Sequence, residues 1–90
     1  MNTADKKKLK EQAHQLKPVV MIGQSGLTAG VMAEIESALN AHELIKIRIR
    51  AERDERKAIS TQICTDSQSE LIQLIGQITI IYRPNPNKNK

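Results

Sequence analysis

The apolar residues of this chain fall into seven short blocks, each with its own period. Leu9, Ala13 and Leu16 recur at helical spacing with lysines between them, which predicts a first helix capped by Thr3 and stopped by Lys17-Pro18. Val19-Val20-Met21-Ile22 is a continuous apolar run and predicts a strand buried on both faces. Gly23-Gln24-Ser25-Gly26 interrupts it. Thr28 then caps a second helix whose apolar positions are Val31, Ile35, Ala38 and Leu39, ending at His42 or Glu43. Residues 44–51 alternate strictly: Ile45, Ile47 and Ile49 point one way, Lys46, Arg48 and Arg50 the other. Residues 53–66 read as a third helix, with Ile59 and Ile63 one turn apart and Ala58 and Cys64 beside them. Two strand-like runs, residues 70–75 and 78–83, flank Gly76-Gln77, a pair suited to a type II′ hairpin. Residues 84–90 contain no apolar side chain and are expected to be a disordered tail.

This order, α-β-α-β-α-β-β, predicts a single compact α/β (α+β) domain over residues 1–83, with three helices and a four-stranded mixed sheet. The first two strands flank a helix, so a right-handed crossover joins them, and the helices are expected on the isoleucine face of the sheet. Periodicity does not specify strand order. Twelve isoleucines and a single aromatic residue, Tyr82, make the core aliphatic. The lack of aromatics excludes a sheet that stacks bases on exposed rings, as RNA-recognition motifs do. One cysteine, Cys64, cannot form an intrachain disulfide and fits a reducing, cytoplasmic location. No apolar run is long enough to span a membrane, and the lysine-rich start has no apolar stretch of the secretory kind after it.

Net charge is +4, and its layout says more than its size. Residues 1–17 carry +3, residues 28–43 carry −3 through Glu34, Glu36 and Glu43, and residues 44–57 carry +3. Two basic segments around an acidic helix point to a polyanionic partner, set against the plainer reading of a solvated lysine-rich surface. Two features carry specific chemistry. The glycine loop joins a strand to a capped helix, where free N–H groups and the positive dipole end favour a phosphate. The plainer reading is an ordinary tight turn, and the loop is neither a dinucleotide fingerprint nor a Walker A loop. The row Lys46, Arg48 and Arg50, extended by Arg53, could follow a phosphate backbone at about 6.5–7 Å per same-face step. Arg56 and Lys57 extend the row as well, an extension that Asp54 and Glu55 partly neutralise. Arg83, beside Tyr82, is a further candidate contact. No Cys/His cluster has zinc spacing and no nucleophile–base–acid grouping stands out, so no enzyme is expected.

Leu16-Lys17-Pro18-Val19-Val20, the loop Ile22-Gly23-Gln24-Ser25-Gly26-Leu27-Thr28, Glu43-Leu44-Ile45-Lys46-Ile47 and the closing Ile75-Gly76 with Ile81-Tyr82-Arg83 together resemble a CRM domain, named for chloroplast RNA splicing and ribosome maturation. The stand-alone bacterial form is the YhbY family. The resemblance runs from about residue 5 to residue 83. It implies a fold similar to the C-terminal domain of bacterial translation initiation factor three. It also implies RNA binding without catalysis, association with ribosomal RNA in large-subunit precursors, and no cofactor, metal, membrane or small-molecule substrate. A monomer is expected. The family's GxxG loop maps onto Gly23, Gln24, Ser25 and Gly26, and its basic surface onto Lys46, Arg48 and Arg50. Gln24 and Ser25 are neutral where such loops often carry a cation. Phosphate contact would therefore rest on backbone N–H groups, the Ser25 hydroxyl, the helix start at Thr28 and lysines such as Lys17. Two other readings are a protein-binding assembly adaptor, docking a basic ribosomal protein on the acidic second helix, and a chromatin-type binder of duplex DNA.

Overall fold

A computed structural model describes residues 2–85. The elements are α1 (Thr3–Ala13), β1 (Val20–Ile22), α2 (Ala29–His42), β2 (Leu44–Ile49), α3 (Arg53–Ser67), β3 (Glu70–Ile75) and β4 (Ile78–Tyr82). They form the expected α-β-α-β-α-β-β order around one mixed sheet with strand order β1-β2-β4-β3. β1 runs parallel to β2 across the α2 crossover, and β4 pairs antiparallel with both β2 and β3.

Local chemistry sets most of the boundaries. Thr28 caps α2, its hydroxyl accepting from the Val31 N–H at 3.2 Å. α1 starts one residue earlier than the sequence suggests: Asn2, the stronger capping type, accepts from the Asp5 N–H at 2.8 Å, and Thr3 joins the helix. α1 also stops short of Pro18. After Ala13 the N–H groups of His14, Gln15 and Leu16 reach carbonyls three residues back, a tightened last turn that leaves Leu16 exposed. In the β3–β4 hairpin Gly76 has φ +54° while Gln77 is not left-handed, the pattern of a type II′ turn. Asn85 is tied back, its N–H donating to Glu43 Oε2 at 2.6 Å and its side chain to the Asn40 carbonyl at 2.7 Å. The rest of the expected tail, residues 86–90, lies outside the described residues.

The sheet is covered on both sides, which corrects the expectation that all helices share the isoleucine face. α2 and α3 pack on Val20, Ile22, Ile45, Ile47, Ile49 and Ile81, contributing Ile35, Leu39 and Ile63. α1 lies on the opposite face, where Ala13 and Leu9 meet Leu44, Ile72, Ile80 and Tyr82. The cause is the strand order. β4 sits beside β2, so Tyr82 and Ile80 stand next to Leu44 and Lys46, and that half of the outward face is apolar enough to need a cover. β1 is likewise not buried on both faces. It is an edge strand with Val20 and Ile22 buried and Met21 exposed; α1 does not reach this corner. An unbroken apolar run reads the same in either setting.

One buried polar contact crosses the core. Ser60 Oγ and Thr79 Oγ1 lie 2.8 Å apart, joining α3 to β4, and Ser60 also donates to the Arg56 carbonyl. β3 shifts register between Leu71 and Gln73. The buried Gln73 Oε1 has no hydrogen-bond partner among the described residues.

Candidate nucleic-acid interface

Because β1 and β2 are parallel, their C-terminal ends meet at one end of the sheet, and the antiparallel β3–β4 hairpin brings its turn to the same end. Residues 23–26, the start of α2, residues 50–52, the start of α3 and Gly76-Gln77 therefore gather there. Two hydrogen bonds fix the loops to one another: the Arg50 N–H donates to the Ile22 carbonyl at 2.9 Å, and the Ile49 N–H to the Gln77 carbonyl at 2.8 Å.

The glycine loop is a closed turn in which the Gly26 N–H donates to the Gly23 carbonyl at 3.0 Å. Its two glycines have different reasons. Gly26 has φ +71°, a conformation that disfavours side chains. Gly23 is not left-handed, and a Cβ there would meet nothing within 4 Å; the fold itself does not demand glycine at this position. Gln24 and Ser25 are exposed. Thr28 spends its hydroxyl lone pair on Val31 and positions the helix start. The first-turn N–H groups of Ala29 and Gly30 have no partner within a helix, the usual condition for anion binding at an N-terminus.

Along β2, Arg48 is exposed and Lys46 is half-buried, with exposed Arg50 just past the strand. Arg53 opens α3 and lines a groove with Arg56, Lys57, Leu74 and Gly76. Arg56 is held there by a 2.6 Å bond from its guanidinium to the Ala51 carbonyl. Asp54 and Glu55, expected to offset part of this charge, do not line the groove. The spacing of Arg56 and Lys57 from Arg53, three and four residues, is the signal for a shared helix face.

Two sequence candidates lie elsewhere. Lys17 precedes β1, at the entry end of the sheet, and lines a largely apolar groove with Gln12, Leu16, Val19, His42, Leu44 and Ile45. The structure does not bring it to the glycine loop. Arg83 follows β4 at that same far end and is engaged inside the fold. Its guanidinium bridges Glu36 at 2.7 Å and donates to the Ser67 carbonyl at 2.9 Å and to Asn40 Oδ1 at 3.0 Å. Glu36 is thereby neutralised, and Glu43 accepts from Asn85.

Other chemistries find little purchase. Burial pushes the Cys64 thiol above its ordinary range, against a partly opposing hydrogen bond with Ser69, so it is a poor nucleophile at neutral pH. Among the described residues no three His, Cys, Asp or Glu side chains are placed to hold a metal ion. Among the described residues no helix is long and apolar enough to cross a membrane.

Known proteins resemble this chain in sequence and in fold. The family model of the CRS1 / YhbY (CRM) domain matches residues 1–83. A Pseudomonas aeruginosa protein named as a probable RNA-binding protein is 50% identical over 86 residues, covering 94% of this chain and 83% of its own length. A Haemophilus influenzae protein named as an RNA-binding protein is 46% identical over 86 residues, covering 94% of this chain and 87% of its own. The solution structure of a hypothetical Staphylococcus aureus protein, offered as a candidate RNA-binding protein, superimposes with a TM-score of 0.84 at 29% identity, covering 94% of this chain and 90% of the other.

Proposed function

The chain belongs to the CRS1 / YhbY (CRM) domain family, a non-enzymatic family of RNA-binding proteins, and from that premise we propose that it docks on ribosomal RNA in precursors of the large ribosomal subunit. The glycine loop and the start of α2 hold phosphates through backbone N–H groups. Lys46, Arg48, Arg50 and Arg53 attract and follow the backbone. The observation that carries this reading is the convergence of the loop, the Thr28-capped start of α2 and the basic residues on one end of the sheet. Lys17 and Arg83, at the far end, are left out of the contact set. Docking of a basic protein on α2 is disfavoured, since Glu36 and Glu43 are both engaged within the fold.

With about four to six phosphate contacts, log affinity for large-subunit ribosomal RNA fragments should fall against log salt with a slope of roughly −3 to −5. A salt-independent titration would overturn the mechanism. Gly23→Asp is the cleaner loop variant, because its Cβ has open space and a permitted backbone. It should weaken binding while leaving the circular dichroism melt unchanged. Competition with duplex DNA separates RNA from DNA recognition, and gradient sedimentation should place the protein with large-subunit precursors rather than mature ribosomes.

A further inference from the structure

On the sheet face shared with α1, two rows of side chains run across the sheet; Ile80, in the first, is buried in the cluster under the helix, and the second lies one step further along the strands. The first consists of Val19, whose N–H donates to the Lys46 carbonyl, then Lys46, Ile80 and Gln73. The second is Met21, Arg48, Ile78 and Ile75, matched in register from β1 through β2 and β4 to β3. Met21 is 56% exposed and Ile75 50% exposed, with exposed Arg48 between them and Ile78 half-buried. Val19 is exposed as well, so three of the exposed large apolar side chains lie on these rows. An apolar strip left open on a small basic domain calls for a ligand.

The ligand is constrained by charge. Neither row contains a carboxylate, and the arginine at the centre of the strip continues along β2 into Lys46 and Arg50. A protein partner would need carboxylates to meet these three cations as well as apolar groups. A nucleotide combines a flat, weakly polar base with an adjacent phosphate and fits both features at once.

Resting on the RNA reading above, we propose that this strip is a stacking platform for an unpaired nucleobase. The Arg48 guanidinium provides the plane, Met21 and Ile78 close its sides, and Ile75 extends the apolar floor, while Lys46 and Arg50 take the neighbouring phosphates. Arginine planes stack bases as aromatic rings do, so the shortage of aromatics limits this domain less than composition suggests. Across three strand spacings the row is about 14 Å wide.

Arg48→Lys is the discriminating variant, since it keeps the charge and removes the plane. The probe is a single-stranded adenosine octamer, intact or with abasic sites, measured by fluorescence anisotropy over a salt series. Arg48→Lys should bind the intact octamer about five- to tenfold more weakly, with an unchanged salt slope. The loss of affinity caused by abasic sites in the wild type should largely disappear in the variant. Met21→Ser/Ile75→Ser should weaken binding in the same direction, and thermal melts would confirm that both variants fold. Equal affinity of Arg48→Lys and wild type for both octamers would overturn the platform while leaving backbone binding intact. So would a wild-type dimer that Met21→Ser/Ile75→Ser dissociates without any change in RNA affinity. If the wild type bound neither octamer nor ribosomal RNA, the RNA reading itself would fall.

Discussion

Arg83 offers the sharpest separation of structural from functional charge. Its guanidinium ties the end of β4 to α2 through Glu36 and Asn40, and to the C-terminal end of α3 through the Ser67 carbonyl. The side chain is 20% exposed and Glu36 41% exposed. The ion pair is therefore held to the range of an exposed pair, about 0.5–1 kcal/mol. The part-buried bond to Ser67 adds about 1 kcal/mol and the exposed bond to Asn40 about 0.5 kcal/mol. Arg83→Met keeps the length of the stem and loses all three, so it should cost about 2–2.5 kcal/mol. For a domain of this size that lowers Tm by roughly 10–20 °C. Glu36→Gln should cost less, about 0.5–1 kcal/mol, because the other two bonds survive. Calorimetry or urea unfolding measures both. At a temperature where Arg83→Met is still fully folded, its affinity for ribosomal RNA should match the wild type within about twofold, a difference under 0.5 kcal/mol. A Tm within about 3 °C of the wild type would refute the clamp. A folded variant that no longer binds RNA would refute the assignment of Arg83 to the interior.

Gln73→Leu removes a buried acceptor that has no partner among the described residues, and it should raise stability by about 1 kcal/mol in urea unfolding. Gly76→Ala places a side chain at φ +54° and should cost about 1–2 kcal/mol, read as a lower midpoint with an unchanged m-value. Burial holds the Cys64 thiol above its ordinary value of 9.0, so the unfolded chain gives up that proton first. The contribution is complete below about pH 9 and is lost as pH climbs through the folded value. Cys64→Ala should therefore lose less stability between pH 8 and pH 10 than the wild type in thermal melts.

What the sequence makes legible is what short-range physics decides. The Thr28 cap, the Gly76-Gln77 turn and the alternation of Ile45, Ile47 and Ile49 depend on neighbours a few positions away, and each appears where expected. The second face of the sheet does not depend on such neighbours. It arises because β4 inserts between β2 and β3, placing Ile80 beside Lys46 and Ile78 beside Arg48, thirty or more positions away. Only with that order fixed is it clear that α1 must cover one half of the face and leave Met21 and Ile75 open. The partners of Arg83 are illegible for the same reason: a cation next to Tyr82 near a polar tail reads as surface, and Glu36 is 47 residues away. The glycine loop is legible in its spacing, but the distinction between Gly26, required by its backbone, and Gly23, which is not, lies in backbone angles that spacing does not carry.

The division of the core into two unequal parts sets a hierarchy of opening. Nine buried residues hold α2 and α3 to the sheet, whereas α1 is held by a cluster of four, of which it contributes only Ala13. α1 is thus the element that parts from the domain at the lowest free energy, and its amides should exchange with solvent ahead of those in β2 and β4. Such an opening would bare Leu44, Ile80 and Tyr82 in continuity with Met21 and Arg48. A ligand lying on the strip would therefore meet a surface whose length is set by how often the first helix lifts.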